Sequence, residues 1–482
     1  MLDMSLPRPI AEYQSVLRSF NPWWQGKRIP DLPQWRRAAY RDLGEWSKEK
    51  GGRALMIAGA RQVGKTTLLL QNIDQLLAEG VPPGNILYAT FDHPLLKLAG
   101  LEETIRIWNE IEPVQPGPSY LFLDEIQVAA DWQVWVKHKV DFNPGYRIAF
   151  TGSASPLALE KQESGVGRWS TVQVPTLSFY EFLQIRSIEV PELPQPTSLA
   201  HLFSWPLADL RRAAHTAEPL VAHFHDYLVR GGFPECAQIE SIPKLQKTLR
   251  EDIVDKVLKR DMTAFYGVRN VLELERLFLY LCIQNGGETN VSKLSVELGV
   301  SRAMVEKHLE LLVAAHLLYP LKTFNFGKEV LKGKTKYYLA DPSIAPSVLL
   351  RGREFIDDPT ALGSAVEAAV FKHLYSHFFA RSARFSYWRD KRGEREVDVV
   401  AEVGGQIIPF EVKYRQKIDS RRDFAGIQAF SNSRNVARAY LFTRNADAIG
   451  VMKSSGKGGD QIPVLCLPAH LACLWLGESE HG

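Results

Sequence analysis

Gly59-Ala60-Arg61-Gln62-Val63-Gly64-Lys65-Thr66 fits the pattern GxxxxGK(S/T). An apolar run, Ala54 to Ala58, leads into it, and a helical pattern opens at Thr67. Strand, glycine loop and helix in this order make a phosphate cradle. Glycines let backbone N–H groups curl around the anion, and the helix N-terminus adds partial positive charge. The expected nucleotide contacts are Gly59, Ala60, Gln62, Val63, Gly64, Lys65, Thr66 and Thr67. Lys65 is assigned to the β and γ oxygens and Thr66 to magnesium, so ATP and Mg2+ are the expected cofactors.

Reading outward, Tyr120-Leu121-Phe122-Leu123-Asp124-Glu125 is an apolar strand ending in two carboxylates. Asp124 is expected to hold magnesium through its waters, and Glu125 to polarise the attacking water. Ile148 to Ser153 is a further strand, on which Ser153 or Thr151 is placed to sense the γ-phosphate. A helix N-cap at Ser153 or Ser155 is the competing assignment. In Gly165-Val166-Gly167-Arg168, the Arg168 guanidinium is a candidate for reaching a neighbouring subunit's nucleotide in a homo-oligomeric ring, a hexamer, and a surface Arg with no such role is the competing assignment. The buried-strand runs Leu55–Ile57, Ile86–Tyr88, Leu121–Leu123 and Arg147–Thr151, with helical segments between them, predict a parallel α/β sheet.

The 482 residues make room for about three domains. A net charge of only +3 means that any nucleic-acid surface must be a local patch. The four cysteines form no CxxC pair, so neither a zinc ribbon nor a disulfide framework is supported, and buried free thiols are expected. The N-terminus lacks the apolar stretch of a signal peptide, and no run approaches the ~20 apolar residues of a membrane span. A soluble cytoplasmic protein, without membrane contact, is expected.

Taken together, several motifs make the chain resemble the archaeal and bacterial AAA ATPases that carry a C-terminal restriction-endonuclease-like domain. They are NPWW (21–24), GARQVGKTT (59–67), LDEIQ (123–127), TGSAS (151–155) and GR (167–168). LSFYEFL (177–183), YLVRGGFPE (227–235) and KRDM (259–262) extend the resemblance along nearly the whole chain. Some members look like Holliday-junction branch-migration motors. The resemblance implies a ring-forming ATPase acting on DNA. The expected fold is α/β: a P-loop AAA parallel sheet with a helical lid, a winged-helix domain and a C-terminal restriction-endonuclease-like domain. The expected segments are an aromatic and basic arm (1–50), the AAA core (51–190), a helical lid or linker (191–272), the winged helix (273–345) and the nuclease-like domain (346–482).

Val291 to Leu318 reads as two helices around a turn at Gly299, the second capped by Ser301 and burying Val305, Leu309 and Leu312. Arg302 and Lys307 then lie on the outer face, where a recognition helix meets DNA. A lysine-rich hairpin follows, and Lys328, Lys332, Lys334 and Lys336 are its expected phosphate contacts. The competing assignment is a protein–protein module with solvating lysines.

Further on, Asp398 and Glu411 are 13 residues apart, a hairpin spacing that brings both carboxylates and Lys413 to one sheet edge. Such a pair suits magnesium, which takes oxygen ligands and keeps its waters. Glu367, on an amphipathic helix, is expected to complete the catalytic set. The arrangement resembles the PD-(D/E)xK nucleases. Three readings follow: an ATP-dependent DNA-processing enzyme with a metal-dependent nuclease site, a branch-migration motor with an inactive nuclease fold, and a regulatory NTPase switch that binds a protein partner. Duplex or branched DNA is the expected partner in the first two.

Overall fold

The computed structural model describes residues 8–49, 52–152, 167–263, 268, 270–324, 333–432, 434–453 and 461–481. Its contacts divide into two compact units, Met1–Val174 with Ala314–His316, and Pro175–Val313 with Leu317–Gly482.

The first unit is built on five strands: β1 (Ala54–Ala58), β2 (Ile86–Thr90), β3 (Ser119–Asp124), β4 (Tyr146–Gly152) and β5 (Trp169–Gln173). Their order is β2-β3-β4-β1-β5, and every neighbouring pair is parallel. The sequence explains this arrangement. All five residues of β1 and all six of β3 are buried, as expected for strands covered on both faces. Helices Lys65–Ala78, Pro94–Ile111 and Trp132–Phe142 make the connections. The carboxyl ends of β1, β4 and β3 therefore sit side by side, where open parallel sheets place their ligand crevice.

As an edge strand, β2 leaves backbone groups unpaired, and the aromatic arm covers them. Asn21, fully buried, accepts from the Tyr88 N–H at 2.7 Å and donates to the Tyr88 carbonyl at 2.8 Å, in the manner of a strand partner. The indoles of Trp23 and Trp24 both donate to the Ile86 carbonyl, at 3.1 and 2.9 Å. The NPWW stretch is thus a side-chain substitute for a further strand.

Helices Val291–Leu298 and Arg302–Ala314, which but for Ala314 belong to the second unit, flank a left-handed Gly299, and Ser301 accepts from the Met304 N–H at 3.2 Å. Val305, Leu309 and Leu312 are buried beneath the second helix, while Arg302 and Lys307 are exposed. Nine strands are described: β6 (Glu288–Thr289), β7 (Leu318–Thr323), β8 (Thr335–Leu339), β9 (Arg384–Arg389), β10 (Glu396–Val403), β11 (Gln406–Lys413), β12 (Ala439–Thr443), β13 (Gly450–Lys453) and β14 (Pro463–Pro468). They form one sheet in the order β13-β14-β12-β11-β10-β9-β7-β8-β6. The hairpin β7–β8 joins the later strands through the parallel pairing of Lys322 with Ser386 and Thr323 with Tyr387. A single sheet thus runs through the segments assigned from sequence to a winged helix and to a nuclease-like domain. All four cysteines are buried and free, and among the described residues no helix is long and apolar enough to cross a membrane.

Replacing Asn21 with Ala strands the Tyr88 N–H and carbonyl in the interior. The expected loss is about 3 kcal/mol of unfolding free energy in denaturant titration. A loss below ~0.5 kcal/mol, the range of an ordinary surface change, would show that the arm does not hold the edge.

Candidate functional site

The first site forms where β1 hands over to the helix Lys65–Ala78. Gly59 is required by space, because a Cβ there would lie 2.2 Å from the Val174 carbonyl oxygen. Gly64 caps the helix with φ 93°, a left-handed conformation that strains other residues. Lys65 is buried, and its ammonium donates to the carbonyls of Gly59 (3.0 Å) and Ala60 (2.7 Å), across the mouth of the loop.

Asp124, at the end of β3, is buried and receives three hydroxyls. Thr66 Oγ1 and Tyr88 Oη donate to its Oδ2 at 2.7 and 2.9 Å, and Thr151 Oγ1 donates to Oδ1 at 2.5 Å. Burial raises the Asp124 pKa, the neighbouring Glu125 adds to the rise, and the hydroxyls of Thr151, Thr66 and Tyr88 oppose it. Burial and the same carboxylates push the Tyr88 phenol far upward, so it stays a donor. A threonine hydroxyl against a buried carboxylate is a hard-oxygen donor pair, and it fits magnesium. Gln62, at φ 58°, adds a buried amide oxygen with no hydrogen-bond partner among the described residues.

Glu125 takes a left-handed φ of 50°, and its N–H donates to Thr151 Oγ1 at 2.9 Å. The Gln127 amide donates to the Glu125 carboxylate. Thr151 therefore fixes both acids, while Ser153 lies outside the described residues. Arg168 is partly exposed and ion-paired with Asp141, Nε to Oδ1 at 3.2 Å. Sequence reasoning missed Tyr88, and it gave Gln127 no role although LDEIQ contains it.

The second site lies within the second unit. The register that pairs Val399 with Phe410 sets Asp398 opposite Glu411, so both carboxylates share a face. The Asp398 N–H donates to Glu411 Oε2 at 3.2 Å, and the Val412 N–H donates to Asp398 Oδ2 at 2.9 Å. The Lys413 ammonium sits on the Glu411 carboxylate, 3.4 Å from the Val412 carbonyl and 3.9 Å from Asp398. Two carboxylates and a carbonyl already surround a cation there, a donor set of the kind a divalent ion uses.

Glu367 accepts the Tyr338 hydroxyl, and among the described residues no three His, Cys, Asp or Glu side chains are grouped to hold a metal. Burial, then the charge of Asp398, raises the Glu367 carboxyl to about 7, against the pull of Lys336 and Lys413. Burial and Asp398 likewise raise Glu411 well above its ordinary range.

Lys336 corrects the hairpin expectation. It is 4% exposed, and its ammonium lies on the Glu396 carboxylate, so it faces the acids rather than solvent. Burial works against that charge, but Glu367, Glu396 and Asp398 outweigh it and raise its pKa. Lys334 is exposed and paired with Glu288 at 2.9 Å, whereas Lys328 and Lys332 lie outside the described residues.

Residues 51–183 match the family model described as an AAA domain. Two further models, both described as domains of unknown function (DUF8612 and DUF4143), match residues 221–354 and 362–465. The chain therefore carries an AAA ATPase-like domain. An uncharacterized protein of Haemophilus influenzae is 26% identical over 370 residues, covering 74% of this chain and 82% of the relative. Among solved structures, AMPPCP-bound DnaA from Aquifex aeolicus matches with 14% identity and a TM-score of 0.26, covering 60% of this chain and 90% of that one. Drosophila ORC bound to DNA matches with 12% identity and a TM-score of 0.25, covering 73% and 95%.

A pH test isolates Glu367. A folded-state pKa near 7, above the ordinary 4.5, means that the native state holds this proton more tightly than the unfolded chain. The stability it contributes is complete below about pH 4.5 and is lost as pH rises through about 7. Glu367→Gln keeps the neutral form, so its Tm should fall less than the parent's between about pH 5 and 8. Equal falls would assign the titration to other groups.

Proposed function

We propose that this chain is an ATP-dependent DNA-processing enzyme, in which an AAA-type ATPase remodels or translocates DNA and the Asp398–Glu411–Lys413 edge is a metal-dependent nuclease site. The observation that carries the reading is the 2.7 Å bond from Thr66 Oγ1 to Asp124 Oδ2. It joins the loop that grips phosphate to the acid that tethers the metal. Thr66 and Asp124 would hold magnesium, which supplies charge neutralisation at the β and γ oxygens. Lys65 leaves the Gly59 and Ala60 carbonyls for the phosphate oxygens. Glu125, once Gln127 lets it go, takes the proton of the attacking water. Arg302 and Lys307 present their charges from the outer face of a helix whose other face is buried, which suits the phosphates of a duplex.

At the second site Asp398 and Glu411 would hold the metal, which supplies Lewis acidity toward a phosphodiester. Lys413 balances the charge of both acids and orients the water. One observation favours the alternative of a branch-migration motor with a silent nuclease fold: the Lys413 ammonium already sits on the Glu411 carboxylate and 3.9 Å from Asp398.

The test is to incubate the protein with four-way junction, linear duplex and single-stranded DNA in magnesium or manganese, with and without ATP. DNA should stimulate ATP turnover, and Lys65→Ala should reduce turnover by a factor on the order of 100 or more. Turnover at the parental rate in that variant would remove the ATPase assignment. Cleavage should require Asp398 and Lys413; cleavage that survives Asp398→Ala refutes the nuclease site, and strand exchange without cleavage selects the silent fold.

A ring assembly gives Arg168 its role, in which it exchanges Asp141 for a neighbour's γ-phosphate. Arg168→Ala should then cut turnover by roughly 100-fold or more while ATP binding stays near the parental level. A strictly monomeric protein with full turnover excludes this role.

A further inference from the structure

The arm has one more feature, beyond the covering of the β2 edge. Between NPWW and the helix Tyr40–Lys48 it crosses the phosphate loop. Gln71, on the helix that follows the loop, donates its amide to the carbonyls of Pro33 and Trp35, both at 2.8 Å. Two residues further along the chain, Arg37 is 6% exposed, and its Nη1 donates to the Val63 carbonyl at 2.7 Å. Val63 is itself fully buried within the loop.

A trans peptide is planar, so its carbonyl and its N–H point in opposite directions. Holding the Val63 carbonyl toward Arg37 directs the Gly64 N–H the other way. Gly64, at φ 93°, has the conformational freedom for that peptide to flip. A flipped peptide would turn a carbonyl oxygen toward the side on which loop N–H groups meet phosphate. A guanidinium–carbonyl bond is charge-assisted, and in a buried setting it is a strong restraint.

We propose that Arg37 is a positioning residue of the nucleotide site, locking the Val63–Gly64 peptide so that the Gly64 N–H stays available to a bound triphosphate. The inference rests on the ATPase reading and assigns the arm a part in it. Because the restraint acts alike in ground state and transition state, it governs affinity rather than the chemical step.

The experiment uses the full chain with magnesium, titrated with a fluorescent N-methylanthraniloyl ATP and assayed for steady-state turnover. Arg37→Met should raise both the dissociation constant and KM about tenfold while kcat stays within about threefold. Arg37→Lys, which keeps a cationic donor for the carbonyl, should restore KM to within about threefold of the parent. Gln71→Leu, which frees the arm without touching Arg37, should shift KM in the same direction.

The proposal is overturned if folded Arg37→Met keeps KM within about twofold of the parent, or if its loss lies mainly in kcat and Arg37→Lys does not rescue it. Should Arg37→Met fail to fold, Gln71→Leu decides, and an unchanged KM there overturns the proposal. A parent chain that takes up no nucleotide overturns the ATPase reading itself, and this inference with it. A parent that turns over ATP while Arg37→Met is silent in KM removes only the inference.

Discussion

Asp124 carries a carboxylate into the interior of a parallel sheet, where an ionised group without partners is strongly disfavoured. Three hydroxyls make the position tenable, and each comes from a different element: Tyr88 from β2, Thr151 from β4 and Thr66 from the helix after the loop. The same bonds therefore solvate the acid and set the loop's distance from the strand tips. The pKa still rises, so the hydroxyls offset only part of the cost of burial. A cation placed beside Asp124 would favour the charged carboxylate and so offset the remaining cost of burial.

The same contrast tells how far the sequence could be read. The loop and the β3 acids were legible because their chemistry is contiguous: a strand, a turn or a helix start within eight residues. Tyr88 was not legible, since it stands 36 residues from Asp124 and meets it only across a strand pairing. Asp398, Glu411 and Lys413 were legible as a hairpin, and the structure brings them together. Glu367 lies near them, but its partner is a tyrosine hydroxyl on β8, a contact that no helical periodicity encodes.

Lys336 is a different kind of miss, because a signal was present. Strand side chains alternate, and Lys336 shares its face of β8 with Tyr338, both buried, while Thr335 and Tyr337 are only partly so. Reading the hairpin by its count of lysines overrode its period of two. The composition was that of a polyanion contact, but the alternation put one cation inside.

That inward lysine also bears on the DNA contact proposed for the hairpin. Lys334 bonds Glu288, Arg389 bonds both Glu288 and Glu396, and Lys336 bonds Glu396, so one run of ion pairs leads from the surface toward the carboxylates. Its ends differ in exposure: the Lys334 side chain is 56% exposed and that of Lys336 5%. An exposed pair is held weakly and screened by salt, so Lys334 can trade its carboxylate for a phosphate oxygen at little cost. Lys336 cannot, because leaving Glu396 would strand a buried charge. Of these two hairpin cations, only the outer one is free to meet a polyanion, and the inner one belongs to the electrostatics of the acidic cluster.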